Sequence, residues 1–305
     1  MTPGLSLHPT RPEDLPSLGA LFSDRFGHGL SPEEWAWKYR AVPGEGRSLV
    51  AVEEATGEVV AHAGALCLPA RWRGGEAGIW TLVDFAGITR RRGLRPALVE
   101  LGRQLLADIP GPADAPWIFG FPSERHFRLG ERTFGYRPLT TAEVFAGEIP
   151  EVTAPRGVRI ETGDSAGDWA EAVWESCGVL GVRRSAAFLN WRYWARPDRY
   201  YRFYRLFSGD AEGFAVFSFL GEETWAAELW LPSGAEWYPS LLAVAADLRA
   251  TGLKRWRFWA LPDSRLGLVP TGERQFIGCR GREGGEDPVA AAAGFTYSMG
   301  DWDFT

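Results

Sequence analysis

The chain has 305 residues, 45% of them hydrophobic and 24% charged, with a formal net charge of −6 and a pI near 5.4. That length and composition fit a globular protein with one large core or two of ordinary size, and the acidic balance disfavours nucleic acid as a partner. No apolar run approaches membrane thickness, and the start, "MTPGLSLHPTRPEDL", lacks a basic-then-apolar leader pattern, so a cytoplasmic, membrane-free protein is expected. Cys67, Cys177 and Cys279 are widely spaced and form no ligand pattern with His8, His28, His62 and His126, so no metal is expected and the thiols read as buried and free.

In chain order, "LSLHP" reads as a strand and "TRPEDLPSLGALF" as a helix. Thr10 and Glu13 are spaced for a capping box, and Leu15, Leu18, Leu21 and Phe22 recur at helical spacing. "SPEEWAWKYR" starts a second helix, with Ser31 as cap, Pro32 in the first position and Glu34 reaching back. Residues 47–68 alternate around Ala55-Thr56-Gly57, which predicts a hairpin, and "AGIWTLVDFAGI" is a further strand. An amphipathic helix over 95–109, a strand in "PWIFGFP", a short helix in "SERHFRLGERTF" and a closing hairpin or pair of strands over 135–149 complete the first half. The fold class is mixed α/β.

The order of signals then repeats. "WKYRAVP" at 37–43 returns as "WRYWARP" at 191–197, and "FGFPSER" at 119–125 returns as "FWALPDSR" at 258–265. With the Pro/Thr/Gly-bearing stretch "EIPEVTAPRG" between them, two copies of one domain are expected, over 1–150 and 156–305.

The densest charge lies in "ITRRRGLRPAL", between a strand and the longest helix of the first half. A helix N-terminus offers unpaired N–H groups and partial positive charge, and glycine permits close approach, so this turn suits a pyrophosphate. Arg90, Arg91, Arg92 and Arg95 would supply charge and Gly93 the approach, with amides around 91–96 as donors; Pro96 is tolerated in a first helical turn. The bland alternative is a solvated basic loop.

Strand, "RRRGLR" turn, helix, "IFGFP" strand, short helix and "FGY" together resemble the GNAT superfamily of N-acetyltransferases over most of residues 5–140. With two halves the chain is similar to the tandem GNAT groups that include mycothiol synthase and the enhanced-intracellular-survival acetyltransferases. The resemblance implies acetyl-coenzyme A (acetyl-CoA) held at Arg90, Arg91, Arg92, Gly93, Leu94, Arg95 and Pro96. It also implies Ser123 near the cofactor and a thioester carbonyl polarised by backbone at Phe85-Ala86. Arg95 stands where the family loop usually ends in Gly or Ala.

Acyl transfer needs a neutral amine, a polarised thioester and a proton for the leaving thiolate. Asp84, a carboxylate on an otherwise apolar strand just before the phosphate turn, is either a base or a structurally bonded side chain. The family's usual tyrosine on the short helix is replaced by Glu131 or, in another alignment, Arg128. Glu131, Tyr136 from the next strand, or no acid at all are the options, and the carboxylate of Thr305 is a further candidate.

The second half has no arginine triplet at the corresponding place and carries Glu236 there, so it reads as a degenerate copy that helps wall the acceptor pocket. The resemblance implies acetyl transfer to a primary amine, and the acidic balance favours a cationic small molecule. A non-catalytic acyl-CoA-binding protein and an aminoacyl-transferring relative of the doubled fold are the alternatives.

Overall fold

The computed structural model describes residues 4–88, 94–109, 117–260, 262–281 and 285–302. The chain forms two compact units. One holds residues 1–140, 276–293 and 303–305; the other holds 141–275 and 294–302. The units are therefore not simple halves, because a late segment returns to the first.

The first unit opens with β1 (Leu5–Pro9), α1 (Leu15–Phe26) and α2 (Pro32–Tyr39), followed by β2 (Glu45–Glu53), β3 (Val59–Trp72) and β4 (Gly75–Gly87). It continues with α3 (Leu94–Asp108), β5 (Trp117–Gly120), α4 (Glu124–Phe134) and the start of β6 (Arg137–Glu148). Ser31 caps α2 as expected, accepting from the Glu34 N–H at 3.1 Å while the Glu34 carboxylate accepts from the Ser31 N–H at 2.6 Å. Thr10 does not cap. It prolongs the β1 edge, its N–H donating to the Ser48 carbonyl and its hydroxyl meeting Ser48 Oγ at 2.6 Å. Asp14 closes the turn instead, accepting from the Arg11 N–H at 2.8 Å. The expected closing hairpin is one long strand, β6, since its turn-type residues, Pro138 and Gly147, lie at its two ends with none between them.

In this unit the strand order is β1-β2-β3-β4-β5, with the last residues of β13 (Val269–Gly281) antiparallel to β5. The hairpins are antiparallel, whereas β4 and β5 run parallel because α3 crosses between them. Alternation along β3 sorts its two faces. Ala61, Ala63 and Ala65 join Leu101 and Leu105 of α3 in one core cluster. His62 packs on Phe22 and Tyr39 of α1 and α2, with ring centroids 5.6 and 5.9 Å apart. Leu18, Phe22 and Leu101 are fully buried, each contributing about 1.5–3 kcal/mol by removal from water.

The second unit repeats this plan with β7 (Ile160–Gly163), α5 (Trp169–Ser176), β8 (Leu180–Val182) and α6 (Ala186–Leu189), which runs into a π-helical turn over Asn190–Trp194. Then come β9 (Tyr201–Ser208), β10 (Ala211–Leu220), β11 (Glu223–Trp230), α7 (Tyr238–Ala250) and β12 (Arg255–Phe258). β11 and β12 are parallel, as β4 and β5 are. The Arg/Tyr/Phe stretch before residue 208 is a half-buried strand, β9. Cys67, Cys177 and Cys279 are free, and burial pushes each thiol up to about 11.

Candidate active site

The first unit's site begins where β4 and β5 part company. Their parallel ladder ends at Leu82 and Gly120, whereas β4 runs on to Gly87. In the same stretch β4 carries one residue more than β3: His62 faces Ala86 and Gly64 faces Val83, so Asp84 and Phe85 together oppose Ala63. This is a β-bulge, and Asp84 takes a left-handed backbone at φ 51.

The bulge sends two side chains to opposite faces. Asp84 turns toward α2, where Lys38 Nζ donates to Oδ1 and Oδ2 at 2.8 and 2.7 Å and the Tyr39 hydroxyl donates to Oδ2 at 2.6 Å. Lys38 and Asp84 are both buried, at 4% and 8% exposure. Tyr39 reaches Asp84 only because residue 64 is glycine; a Cβ there would lie 2.2 Å from the phenol oxygen. His62 Nδ1 lies 2.8 Å from the Asp84 carbonyl and Nε2 lies 2.9 Å from Ser48 Oγ. A carbonyl only accepts, so Nδ1 carries the proton and Nε2 accepts from Ser48. Burial, aided by the Lys38 charge and opposed by that carbonyl, pushes His62 down to about 4, and the ring is neutral.

Phe85 turns the other way, into a narrow cleft of about 20 Å³, the space of about one water molecule, also lined by Val83, Gly102, Leu105, Phe134 and Tyr136. Gly102 on α3 keeps it open, since a Cβ there would sit 2.6 Å from the Phe134 ring and 3.3 Å from Phe85. Tyr136 lies across Gly130 of α4, where a Cβ would be 2.2 Å from its ring. Burial holds the phenol well above its ordinary range, against the pull of Arg280. Arg280 also donates to the Phe134 carbonyl at 2.7 Å, tying the end of α4 to β13.

The sequence-derived residues therefore separate. Phe85 and Tyr136 share the cleft. Ala86 is buried and pairs with His62. Glu131 is exposed on α4 and does not line the cleft. Ser123 caps α4, accepting from the His126 N–H at 3.4 Å. Pro96 is exposed in the first turn of α3, which Leu94 and Arg95 open; the side chains of those two, together with Arg90, Arg91, Arg92, Gly93 and Thr305, lie outside the described residues. Sequence reasoning missed Lys38, Tyr39 and Gly130. The signal for the first two was the repeated "WKY" and "WRY", and for the third a glycine inside a helix.

The second unit has its own version. β11 also carries one extra residue, between Glu228 and Ala226, just past the end of the β11–β12 ladder at Trp225. Tyr193, from the repeated motif, donates to Glu228 Oε1 at 2.6 Å, Arg184 Nε to the same oxygen at 3.0 Å, and Trp230 Nε1 to Oε2 at 2.7 Å. Arg184 also pairs with Asp301 at 2.9 Å, and Arg192 donates to the carbonyls of Gly300 and Trp302. At the start of α7 the anion is internal: Glu236 accepts from the Tyr238 N–H at 3.0 Å and from Arg265 at 2.6 Å. No helix among the described residues is long and apolar enough to cross a membrane, and no group of three His, Cys, Asp or Glu residues there could hold a metal ion.

No protein-family model and no curated protein sequence matches the chain. Solved structures do. A GCN5-related N-acetyltransferase from Anabaena variabilis superposes with a TM-score of 0.62 over 90% of this chain and 72% of its own, at 13% identity. A tandem GNAT protein from the clavulanic acid biosynthesis pathway gives 0.60 over 91% and 98%, at 14% identity. N-myristoyltransferase from Saccharomyces cerevisiae, solved with bound myristoyl-CoA, gives 0.58 over 92% and 83%, at 9% identity. This chain thus carries the fold of the GCN5-related N-acetyltransferases, in its tandem form.

Proposed function

We propose that the protein is an N-acetyltransferase that moves an acetyl group from acetyl-CoA to a primary amine of a small, cationic acceptor. The observation that carries this reading is the open edge of β4 beyond Leu82, beside an apolar cleft into which Phe85 and Tyr136 face. Bound there, acetyl-CoA would supply an activated acyl thioester. Its fit rests on the cleft's apolar walls, on the glycines at 102 and 130 that keep space for them, and on a strand edge whose amides are not committed to β5. The arginine-rich turn at 90–95 is the proposed seat of the pyrophosphate.

The chain's own groups divide the remaining work. Backbone N–H groups on the open β4 edge, around Phe85-Ala86, donate toward a developing oxyanion. Tyr136, a phenol that is protonated at neutral pH and that burial pushes further above its ordinary range, holds a proton at its hydroxyl for a departing thiolate. It lies over Gly130, so a ring from β6 fills space that a side chain on α4 would otherwise take. The walls of Val83, Leu105 and Phe134 exclude water. The net charge of −6 enriches cationic acceptors near the surface.

A panel of polyamines, aminoglycosides and amino sugars, scored for acetyl-CoA consumption, tests the reading. Tyr136→Phe should lower turnover by about 10²-fold or more with acetyl-CoA affinity nearly kept. Tight acetyl-CoA binding without consumption across the panel would favour a non-catalytic acyl-CoA-binding protein instead.

A further inference from the structure

We infer that Lys38 and Tyr39 are positioning residues, which grip Asp84 and so hold the β4 bulge in the shape that turns its backbone edge toward the cleft. The inference rests on the acyltransferase reading and gives its central strand a mechanical explanation. The bulge needs holding. Asp84 is a non-glycine residue in the left-handed region, a conformation that persists where surroundings impose it and that clusters at functional sites. Here the imposition is visible: an ammonium and a phenol occupy both carboxylate oxygens, and His62 binds the carbonyl of the same residue.

The same bonds argue against proton transfer at Asp84. Taking a proton would leave the Lys38 ammonium buried beside a neutral acid, losing the pairing that offsets its desolvation. The residue types also fit a fixed lock. Lys38 is one of only two lysines in a chain that otherwise uses arginine, and an ammonium is a compact charge that needs no planar fork. Gly64 is required for Tyr39 to reach.

The second unit supplies an independent argument. There the tyrosine of the repeated motif again binds an acid beside the bulge, here on β11, Tyr193 to Glu228 at 2.6 Å. Yet that unit has no arginine turn, and Glu236 already occupies the N-terminus of its α7. A device kept where the anion cradle is lost belongs to the bulge, not to the chemistry of the acceptor.

The test uses the full chain and acetyl-CoA labelled with carbon-13 at the thioester carbonyl. Isotope-edited infrared spectroscopy reads how strongly the bound carbonyl is polarised, and calorimetry reads affinity. The parent protein should bind the probe and lower its carbonyl stretch relative to water. Tyr39→Phe, which removes one hydrogen bond and keeps the ring, should bind within about threefold yet lose much of that shift, since small misplacements are costly at reacting groups. Lys38→Met should lose more. Asp84→Asn should keep part of it, because Asn tolerates a left-handed backbone and still accepts from Tyr39. A full carbonyl shift in folded Tyr39→Phe and Lys38→Met would overturn the lock. Failure of the parent to bind acetyl-CoA would instead overturn the acyltransferase reading beneath it.

Discussion

The two units build one device on two budgets of space. In the first, the acid at the bulge is the short Asp84, held by Lys38 and Tyr39 from one helix, and the opposite face of the strand is left with a cleft. In the second, the acid is the longer Glu228, and around it crowd Arg184, Trp230, Tyr193 and the returning segment at Gly300, where a Cβ would come within 1.8 Å of the Tyr193 hydroxyl. The contrast extends to the helix that follows: α3 is preceded by arginines, α7 by its own carboxylate. A duplicated fold can thus keep its structural joint in both copies while the groups packed around that joint diverge.

The largest effect should come from the crowded copy. Arg184 is fully buried between Glu228 and Asp301, so Arg184→Leu strands two carboxylates without their cation and should cost about 3–5 kcal/mol in urea unfolding. A loss below about 1 kcal/mol would mean that these groups are solvated, and the contrast with the first unit would weaken.

Acid should act on the first unit through His62, which is fully buried on β3. His62 is held down at about 4, so between its unfolded value near 6.5 and that point the unfolded chain binds a proton that the folded one refuses. Stability is therefore lost as pH falls through this window, by about 3 kcal/mol in total, and is flat in this group above it. Thermal melts of His62→Gln should show a shallower pH slope; a slope equal to the parent's would remove His62 from the account.

The anion contrast is sharpened by calorimetry. One acetyl-CoA per chain is expected, and Arg91→Ala and Arg92→Ala should each weaken it by roughly 1.5–3 kcal/mol, or about ten- to more than a hundredfold. Glu236→Ala should leave the stoichiometry at one. Two equivalent sites, or arginine variants that bind normally, would place the pyrophosphate elsewhere.

Gly130→Ala should be the mildest in stability, at about 1–3 kcal/mol, as the new methyl meets the Tyr136 ring. Its signature is a fall in turnover with acetyl-CoA affinity preserved; if turnover holds, Tyr136 is only a wall.

The sequence carries most of the elements plainly. Capping at Ser31, the hairpin at Ala55-Thr56-Gly57 and the 3.6 period before residue 109 are local signals, and the structure follows them. Thr10 misled because its hydroxyl had a tertiary competitor in Ser48, 38 residues away. β6 misled because its turn-type residues, Pro138 and Gly147, sit at the ends of the strand and not between two runs. At the site, Asp84 stands out as a charge in an apolar run, but its partners lie 45 and 46 residues upstream, and nothing local states that a bulge would deliver them. Tyr136 is legible as a candidate, whereas the space that seats it, at Gly130, is visible only once α4 and β6 are in place.

The strand that borders β5 has a consequence for how the protein is made. Gly278 to Gly281 of β13 pair with Gly120 to Trp117, so the neighbour of β5 is translated after some 155 intervening residues. At ribosomal speeds of about 5–20 residues per second, the nascent chain carries an unsatisfied strand edge for roughly 8–30 s. Such an edge is a template for any extended segment nearby. Closure of the first unit therefore waits for the late strand, and a fragment ending at residue 150 should aggregate where the full chain stays dispersed. A soluble, monomeric fragment in sedimentation would show that the late strand is dispensable.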